Sequence, residues 1–343
     1  MARKSNSTYL PTKLLPEQGI IWSQQRLLGL SSQVIVLLLC LGLIASVIIQ
    51  IGQQNLLQER ASQRYSELQS VANDLSEQLS FQRFQTLSLA GDELLLQQLQ
   101  QASAEKQRRL QSYWHALQQN INDLQGIAVY SAIGQQLLTE GNDLGAKTLS
   151  SNLLKKLEQL ERHQVYMSSV TFSSAAGKIA PVLYQSTKIY ATDNRFLGYL
   201  VTFHAINNSL LEAKRSFSEQ AAPLLLINQE GQLLANSTNA SGLARMPNVL
   251  GTNLNETYPA LWQSMQRERY GQFQGDTATL VYLAFQLETN AQQRDCYLIS
   301  YIDNQFVYDQ LSLWRYLIIA IFVVLALALS GLIWLSHLRQ LLE

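Results

Sequence analysis

The chain has 343 residues, with 25 Lys and Arg against 25 Asp and Glu and a formal net charge of zero. That balance excludes nucleic-acid binding driven by a basic surface, and the length leaves room for two membrane spans plus one large domain or two small ones. Its two cysteines, Cys40 and Cys296, fall in an apolar run and in a polar insert. Geometry therefore excludes an intrachain disulfide, and folding must rest on packing. Cys296 reads either as a buried thiol or as one paired with its twin in a dimer.

Residues 1–28 form a basic tail with Arg3, Lys4, Lys13 and Arg26. No Asp, Glu, Lys or Arg occurs from Leu27 to Gln58. The apolar run at 29–51 is long enough for a helix to cross about 30 Å of hydrocarbon and longer than a signal-peptide core. A second such run occupies 315–336, followed by a stub, 337–343, that carries Arg339. Basic residues beyond the outer ends of both runs predict two membrane spans with both termini cytoplasmic and the insert outside. Arg315, at the other end of the second run, counts against that bias. A stub this short predicts that any cytoplasmic output domain lies outside this chain.

The insert begins with a helical stalk and short helices over 52–120. Gln53–Leu89 lacks Pro and, after Gly52, Gly, which favours one long helix. Ala61, Tyr65, Leu68, Ala72, Leu75 and Leu79 recur in steps of four and three, the seam of a helix packed along a partner. That partner is either another copy or the domain that follows. Gly91-Asp92 interrupts the pattern, and Glu93–Gln101 and Ala104–Gln119 read as shorter helices.

The period then changes. Over 121–206, Ile127, Val129 and Tyr130, then Gly134, then Leu137 and Leu138 predict strand, turn, strand. A helix over Leu149–Arg162 and strands over Val165–Phe172, Ile179–Ile189 and Phe196–Ile206 follow, with turns at Ala176-Gly177 and Thr192–Arg195. The expected unit is a sheet of about five strands with helices on one side. Residues 207–314 repeat the plan. A helix over Asn207–Gln220 leads to strands at Pro223–Asn228 and Gln232–Asn236 across a Gly231 turn. A loop with Gly242, Pro247 and Gly251 follows, then a helix near Asn255–Arg267 and strands at Gly271–Gln274, Thr277–Leu287 and Asp295–Ile302. Gly134-Gln135-Gln136-Leu137-Leu138 and Gly231-Gln232-Leu233-Leu234 mark the two as tandem modules. Asn304–Trp314 reads as a helix running into the second span.

On this order the chain resembles the double Cache sensors, bacterial extracytoplasmic domains with two PAS-like modules along a long amino-terminal helix. The resemblance covers about Gln53 to Leu313. It rests on the long helix, Leu89-Ala90-Gly91-Asp92 with helices after it, the two strand-turn-strand starts, Gly198-Tyr199-Leu200-Val201 and Gly271-Gln272-Phe273. It implies an α+β fold: two transmembrane helices flanking a tandem PAS-like domain, in a two-pass protein of the bacterial inner membrane with a periplasmic or extracellular insert. The distal module would be 121–206 and the membrane-proximal one 207–314. It further implies a homodimer through the amino-terminal helix and a small-molecule ligand, with output through a histidine kinase, chemoreceptor or diguanylate cyclase. The amino-acid-binding branch carries an Arg-x-Trp motif. Here Arg162-His163-Gln164-Val165-Tyr166 has Arg and Tyr without Trp, and His204 stands where an acidic residue is expected.

Residues that could carry chemistry are few. The four His residues, His115, His163, His204 and His337, have no metal-ligand spacing. No phosphate-binding Gly-rich loop, nucleophile elbow or cyclase signature is present. No enzyme activity, metal or cofactor is expected. The expected ligand site is in the first module, with Tyr130, Tyr166 and Tyr184 on strands, Arg195 in a turn and His204 on the closing strand. Aromatic walls with a few polar groups suit a small ligand, and Arg suits a carboxylate or phosphate. Each also has a plainer reading, since strand Tyr residues pack and a turn Arg is solvated. A rival to the sensor is a two-span assembly protein similar to polysaccharide chain-length regulators, whose inserts are dominated by very long helices with a Pro-rich segment beside the second span. Ser300–Tyr316 contains no Pro.

Overall fold

The structure, a computed structural model, describes residues 17–141, 146–175, 178–217, 222–237, 249–275, 277–286 and 295–342. Arg3, Lys4 and Lys13, the Ala176-Gly177 turn, Gly242 and Pro247 lie outside the described residues. No Pro interrupts the first 74 described residues, and they form a single helix, α1 (Glu17–Ala90), continuous through the apolar run and the stalk. It stops at Gly91, whose N–H returns to the Leu87 carbonyl at 3.2 Å. Asp92 then opens α2 (Glu93–Gln100) by accepting from the N–H groups of Leu94 and Leu95 at 2.8 and 3.3 Å. Ser103 caps α3 (Ala104–Asn120) in the same way.

The first module continues with β1 (Leu124–Tyr130), β2 (Gln136–Gly141), α4 (Ser151–Glu158), β3 (Val165–Met167), β4 (Thr171–Ala175), β5 (Lys178–Tyr190) and β6 (Phe196–Ala205). Its strands are ordered β2-β1-β6-β5-β3, with β4 also paired to β5, all antiparallel. The second comprises α5 (Ile206–Ala213), β7 (Leu224–Ile227), β8 (Leu233–Asn236), α6 (Leu254–Thr257), α7 (Pro259–Arg267), β9 (Tyr270–Gln274), β10 (Ala278–Gln286) and β11 (Asp295–Asp303), ordered β8-β7-β11-β10-β9. In both sheets the first strand of the opening hairpin pairs with the closing strand. The duplication reaches single hydrogen bonds. Gly134 N–H donates to Ser131 O at 2.9 Å and Gly231 N–H to Asn228 O at 3.0 Å. Each glycine's carbonyl in turn accepts from a leucine entering the next helix, Leu149 at 2.8 Å and Leu254 at 2.7 Å. Both turns need φ near +80° (80° and 86°), which glycine supplies without strain.

Several elements depart from the expectation. Val165–Phe172 is two strands, because the Ser168 hydroxyl takes the Tyr184 N–H at 3.0 Å. The helix expected over Leu149–Arg162 shortens to α4: Ser150 caps its start, and His163 turns at φ 67°. Tyr258 splits the Asn255–Arg267 helix into α6 and α7, since a residue before proline is pushed out of the helical region. Asn207–Gln220 becomes α5 and a 3₁₀ turn over Lys214–Ser216. Helices also cover both faces of the first sheet instead of one. Ile127, Val129 and Leu200 pack with Leu89, Leu95, Leu110 and Trp114 from α1, α2 and α3. Ala128, Tyr130, Val201 and Phe203 face Leu153, Leu154 and Leu157 of α4. Adjacent strand residues thus bury on opposite sides.

The chain divides into two units, Gln58–Asn304 and the remainder. Within the first, the seam of α1 is used intramolecularly: Leu68 and Leu75 are fully buried, Leu79 packs with Met167 and Leu183, and the Tyr65 ring lies 5.2 Å from that of Tyr270 on β9. The second sheet's core is Leu225, Ile227, Tyr282 and Ile299 against Leu261 and Met265 of α7. Asn304, buried at the end of β11, accepts from the Thr279 hydroxyl at 2.8 Å and donates to Gly275 O at 3.1 Å. The other unit holds the apolar part of α1 and, after α8 (Asn304–Gln310), α9 (Ser312–Leu342). Both are long and apolar enough to cross a membrane. Only 11% and 6% of their apolar windows are buried, unlike a core helix of a soluble domain.

Candidate functional site

The alternation along three strands makes two different surfaces in the first module. Tyr130 on β1, Val182 and Tyr184 on β5, and Val201 and Phe203 on β6 point to the α4 side. Together with Ala146, Thr148, Leu149, Ser150, Leu153 and Thr171 they line a partly open cavity of about 210 Å³. The Tyr130 hydroxyl crosses its edge to donate to Ala146 O at 3.0 Å. The Tyr184 ring stands 6.4 Å from Phe203 and 6.3 Å from Tyr166, both tilted. Lys156 lies over the Tyr166 ring, 5.5 Å from its centre. Among the described residues, no charged side chain lines this cavity and no three His, Cys, Asp or Glu converge as a metal site would need.

The alternate residues of the same strands face α1 and form a buried polar network. The Gln82 amide donates to the Asp123 carboxylate, and Gln82 Oε1 accepts from Gln185 Nε2 at 3.3 Å. Thr86 Oγ1 lies 2.9 Å from Thr202 Oγ1 and 3.3 Å from Gln185 Oε1. His204, only 2% exposed, places Nε2 3.0 Å from Thr202 Oγ1 and Nδ1 3.4 Å from Asp123 Oδ2. Burial acts to raise the Asp123 carboxyl, but the hydrogen bond and charge of His204, with the Gln82 amide, outweigh it and hold its pKa below the ordinary value. The network ties the long helix to the sheet.

Of the residues singled out from sequence, Tyr130 and Tyr184 line the cavity and Tyr166 stands beside it. His204 belongs to the helix-facing network, because it is one residue out of phase with Phe203. Arg195 lies in the β5–β6 turn with its side chain 71% exposed, bound to the Asp193 carboxylate at 2.6 Å. Sequence reasoning missed Val182, Val201 and Phe203 at the floor, and Thr148, Ser150 and Thr171 at the edge. It also missed Gln82 and Thr86. They continue the seam of Leu75 and Leu79 as polar residues, a signal that the apolar periodicity passed over.

Similarity to known proteins accords with this geometry. No curated protein matches the chain in sequence. In structure it is similar to the extracellular domain of the histidine kinase vpHK1S-Z8, with a TM-score of 0.60 at 14% identity over 76% of this chain and 96% of that one. A domain of a sensory box/GGDEF family protein from Vibrio parahaemolyticus gives 0.60 at 14% identity over 74% and 99%. The ligand-binding domain of the Pseudomonas aeruginosa amino acid chemoreceptor PctC, in complex with GABA, gives 0.46 at 14% over 71% and 100%. The first two likenesses show the tandem PAS-like fold of the double Cache sensors. The family model described as "Bacterial histidine kinase, sensor domain" matches residues 66–299, both sheets and most of the stalk, and the chain belongs to that family.

Proposed function

We propose that this chain is a membrane-anchored receptor for a small molecule, which binds in the cavity of the first module and signals through α9. The observation that carries the reading is the cavity of about 210 Å³ walled by Tyr130, Tyr184 and Phe203 in a sensor-family domain. On this reading α1 and α9 cross the bacterial inner membrane, both termini lie in the cytoplasm, and the two sheets stand outside. Output passes to a kinase, cyclase or chemoreceptor machinery, and this chain itself performs no catalysis. A homodimer through α1 belongs to the reading, since Phe81 and Phe84 stay exposed on its outer face while its seam is buried. Two antiparallel sheets in the insert do not fit a chain-length regulator built on very long helices.

Ligand can shift the helix only by binding two states with different affinity. Thermal unfolding of the full chain in nanodiscs, screened against small metabolites, tests the binding: a ligand of the folded state raises the midpoint. Disulfide crosslinking between copies through Cys introduced at Ala320 or Ile321, in a Cys40→Ser background, tests the signal. Crosslink yields that do not change on adding a ligand that binds would refute transmission through α9. A terminus found outside the cell by reporter fusion would refute the topology.

A further inference from the structure

The floor and the edge of the first-module cavity differ in chemistry. Val182, Val201, Phe203 and Tyr130 are buried, whereas Thr148, Ser150 and Thr171 are exposed at the edge. No Asp, Glu, Lys, Arg or His is among the described residues of its wall. Four cations of this module have partners outside the lining residues, while Lys147, between the lining residues Ala146 and Thr148, is exposed. Lys156 contacts the Tyr166 ring and hydroxyl, and Lys188 donates to the carbonyls of Glu158 and Leu160 at 2.9 and 2.7 Å. Arg162 donates to Asn194 Oδ1 at 2.7 Å, and Arg195 to Asp193. A carboxylate or ammonium entering the cavity would lose water with no counter-ion among the described lining residues to replace it. The start of α4 offers only a weak partial charge, and the Ser150 hydroxyl already caps it by accepting from Leu153 N–H at 3.3 Å.

Size narrows the class further. A dry engineered cavity of about 150 Å³ accommodates benzene, so about 210 Å³ holds a ring of that size with one small substituent. Tyr130, Tyr184 and Phe203 supply the tilted aromatic surfaces against which a ring packs. We infer that the cavity takes an uncharged molecule about the size of one six-membered ring, bearing a single hydroxyl, carbonyl or amide group that meets the edge hydroxyls. This rests on the receptor reading above and narrows it.

The test uses four probes that share one ring: benzyl alcohol and benzamide, which are neutral, and benzoate and benzylamine, which are charged. Affinity for the full chain in nanodiscs is measured by calorimetry. The expected result is a Kd for the neutral pair at least about tenfold below that of either charged probe, insensitive to salt. Val182→Phe, which fills the floor, should abolish binding while thermal unfolding shows the fold intact. If that variant fails to fold, Thr171→Val should weaken benzamide several-fold and leave an unfunctionalised ring unaffected. Equal or tighter binding of benzoate or benzylamine overturns the uncharged class, as does failure of both neutral probes. The receptor reading survives either result if some metabolite binds and is displaced by Val182→Phe. Metabolite binding that persists in Val182→Phe places the ligand elsewhere and overturns both.

Discussion

Replacing Gln82 by Leu tests whether the buried polar network fastens the long helix to the first sheet. Gln82 donates to the Asp123 carboxylate and accepts from the Gln185 amide; both glutamines are buried, and the Asp123 side chain is 20% exposed. A hydrogen bond to a charged group is worth about 1.5–3 kcal/mol net, and an orphaned buried N–H costs about 1–3 kcal/mol. The two losses share one network and do not simply add, and the leucine recovers some apolar burial. A net destabilisation of roughly 2–4 kcal/mol is expected. Urea unfolding of the Gln58–Asn304 unit, followed by fluorescence of buried Trp114, measures it; the m-value should not change. The pH dependence provides a second readout. Asp123 has a lowered pKa in the fold, so its stabilisation is complete above the ordinary carboxyl value and is lost as pH falls through the lower folded value. Removing one of the groups that lowers it raises the folded value, so the variant's deficit should be larger at neutral pH than in acid. A deficit below about 0.5 kcal/mol, the size of an ordinary surface substitution, or one identical at both pH values, would refute the network's role.

Gly198→Ala should cost more than about 3 kcal/mol, because a Cβ there would sit 2.1 Å from the Tyr130 carbonyl oxygen at φ +150°; a variant with native unfolding would refute the close approach of β1 and β6. Asn304→Ala leaves the Thr279 hydroxyl and the Gly275 carbonyl without their partner and should cost about 1–3 kcal/mol. It should also speed hydrogen exchange at the end of β11 in mass-spectrometric mapping, where unchanged protection would count against it. Arg195→Ala should leave both unfolding midpoint and ligand affinity unchanged, since its partner is the neighbouring Asp193 at the surface. A tenfold loss of affinity would return Arg195 to the binding site.

The duplication was legible because it is written in turn chemistry: glycines that need positive φ, placed between apolar strands, are visible without coordinates. The seam of α1 was legible as far as Leu79 because apolar periodicity reports burial. Beyond it, Gln82 and Thr86 are buried by hydrogen bonding, which polarity alone disguises as exposure. The same limit explains the site. Tyr130 and Tyr184 were found as strand aromatics, but whether a β6 residue faces cavity or helix depends on strand phase. Irregular pairing of β1 with β6 between Leu124 and Gly126 and of β5 with β6 between Ile189 and Tyr190 sets that phase. His204 was therefore assigned to the wrong surface, and Phe203 was missed. The split of β3 from β4 and the shortness of α4 came from single side-chain or backbone events at Ser168 and His163, too local for periodicity to register.

The interleaving of two surfaces along β6 has an evolutionary consequence. Val201 and Phe203 belong to the cavity, and Thr202 and His204 to the anchor of α1. Point substitutions at the odd positions can reshape the cavity without touching the anchor. Insertion or deletion of one residue would exchange the two surfaces at once, presenting hydroxyl and imidazole to the cavity and the valine and phenylalanine side chains to Gln82. Change in the lining of the cavity is thus open to substitution and closed to length change in this strand.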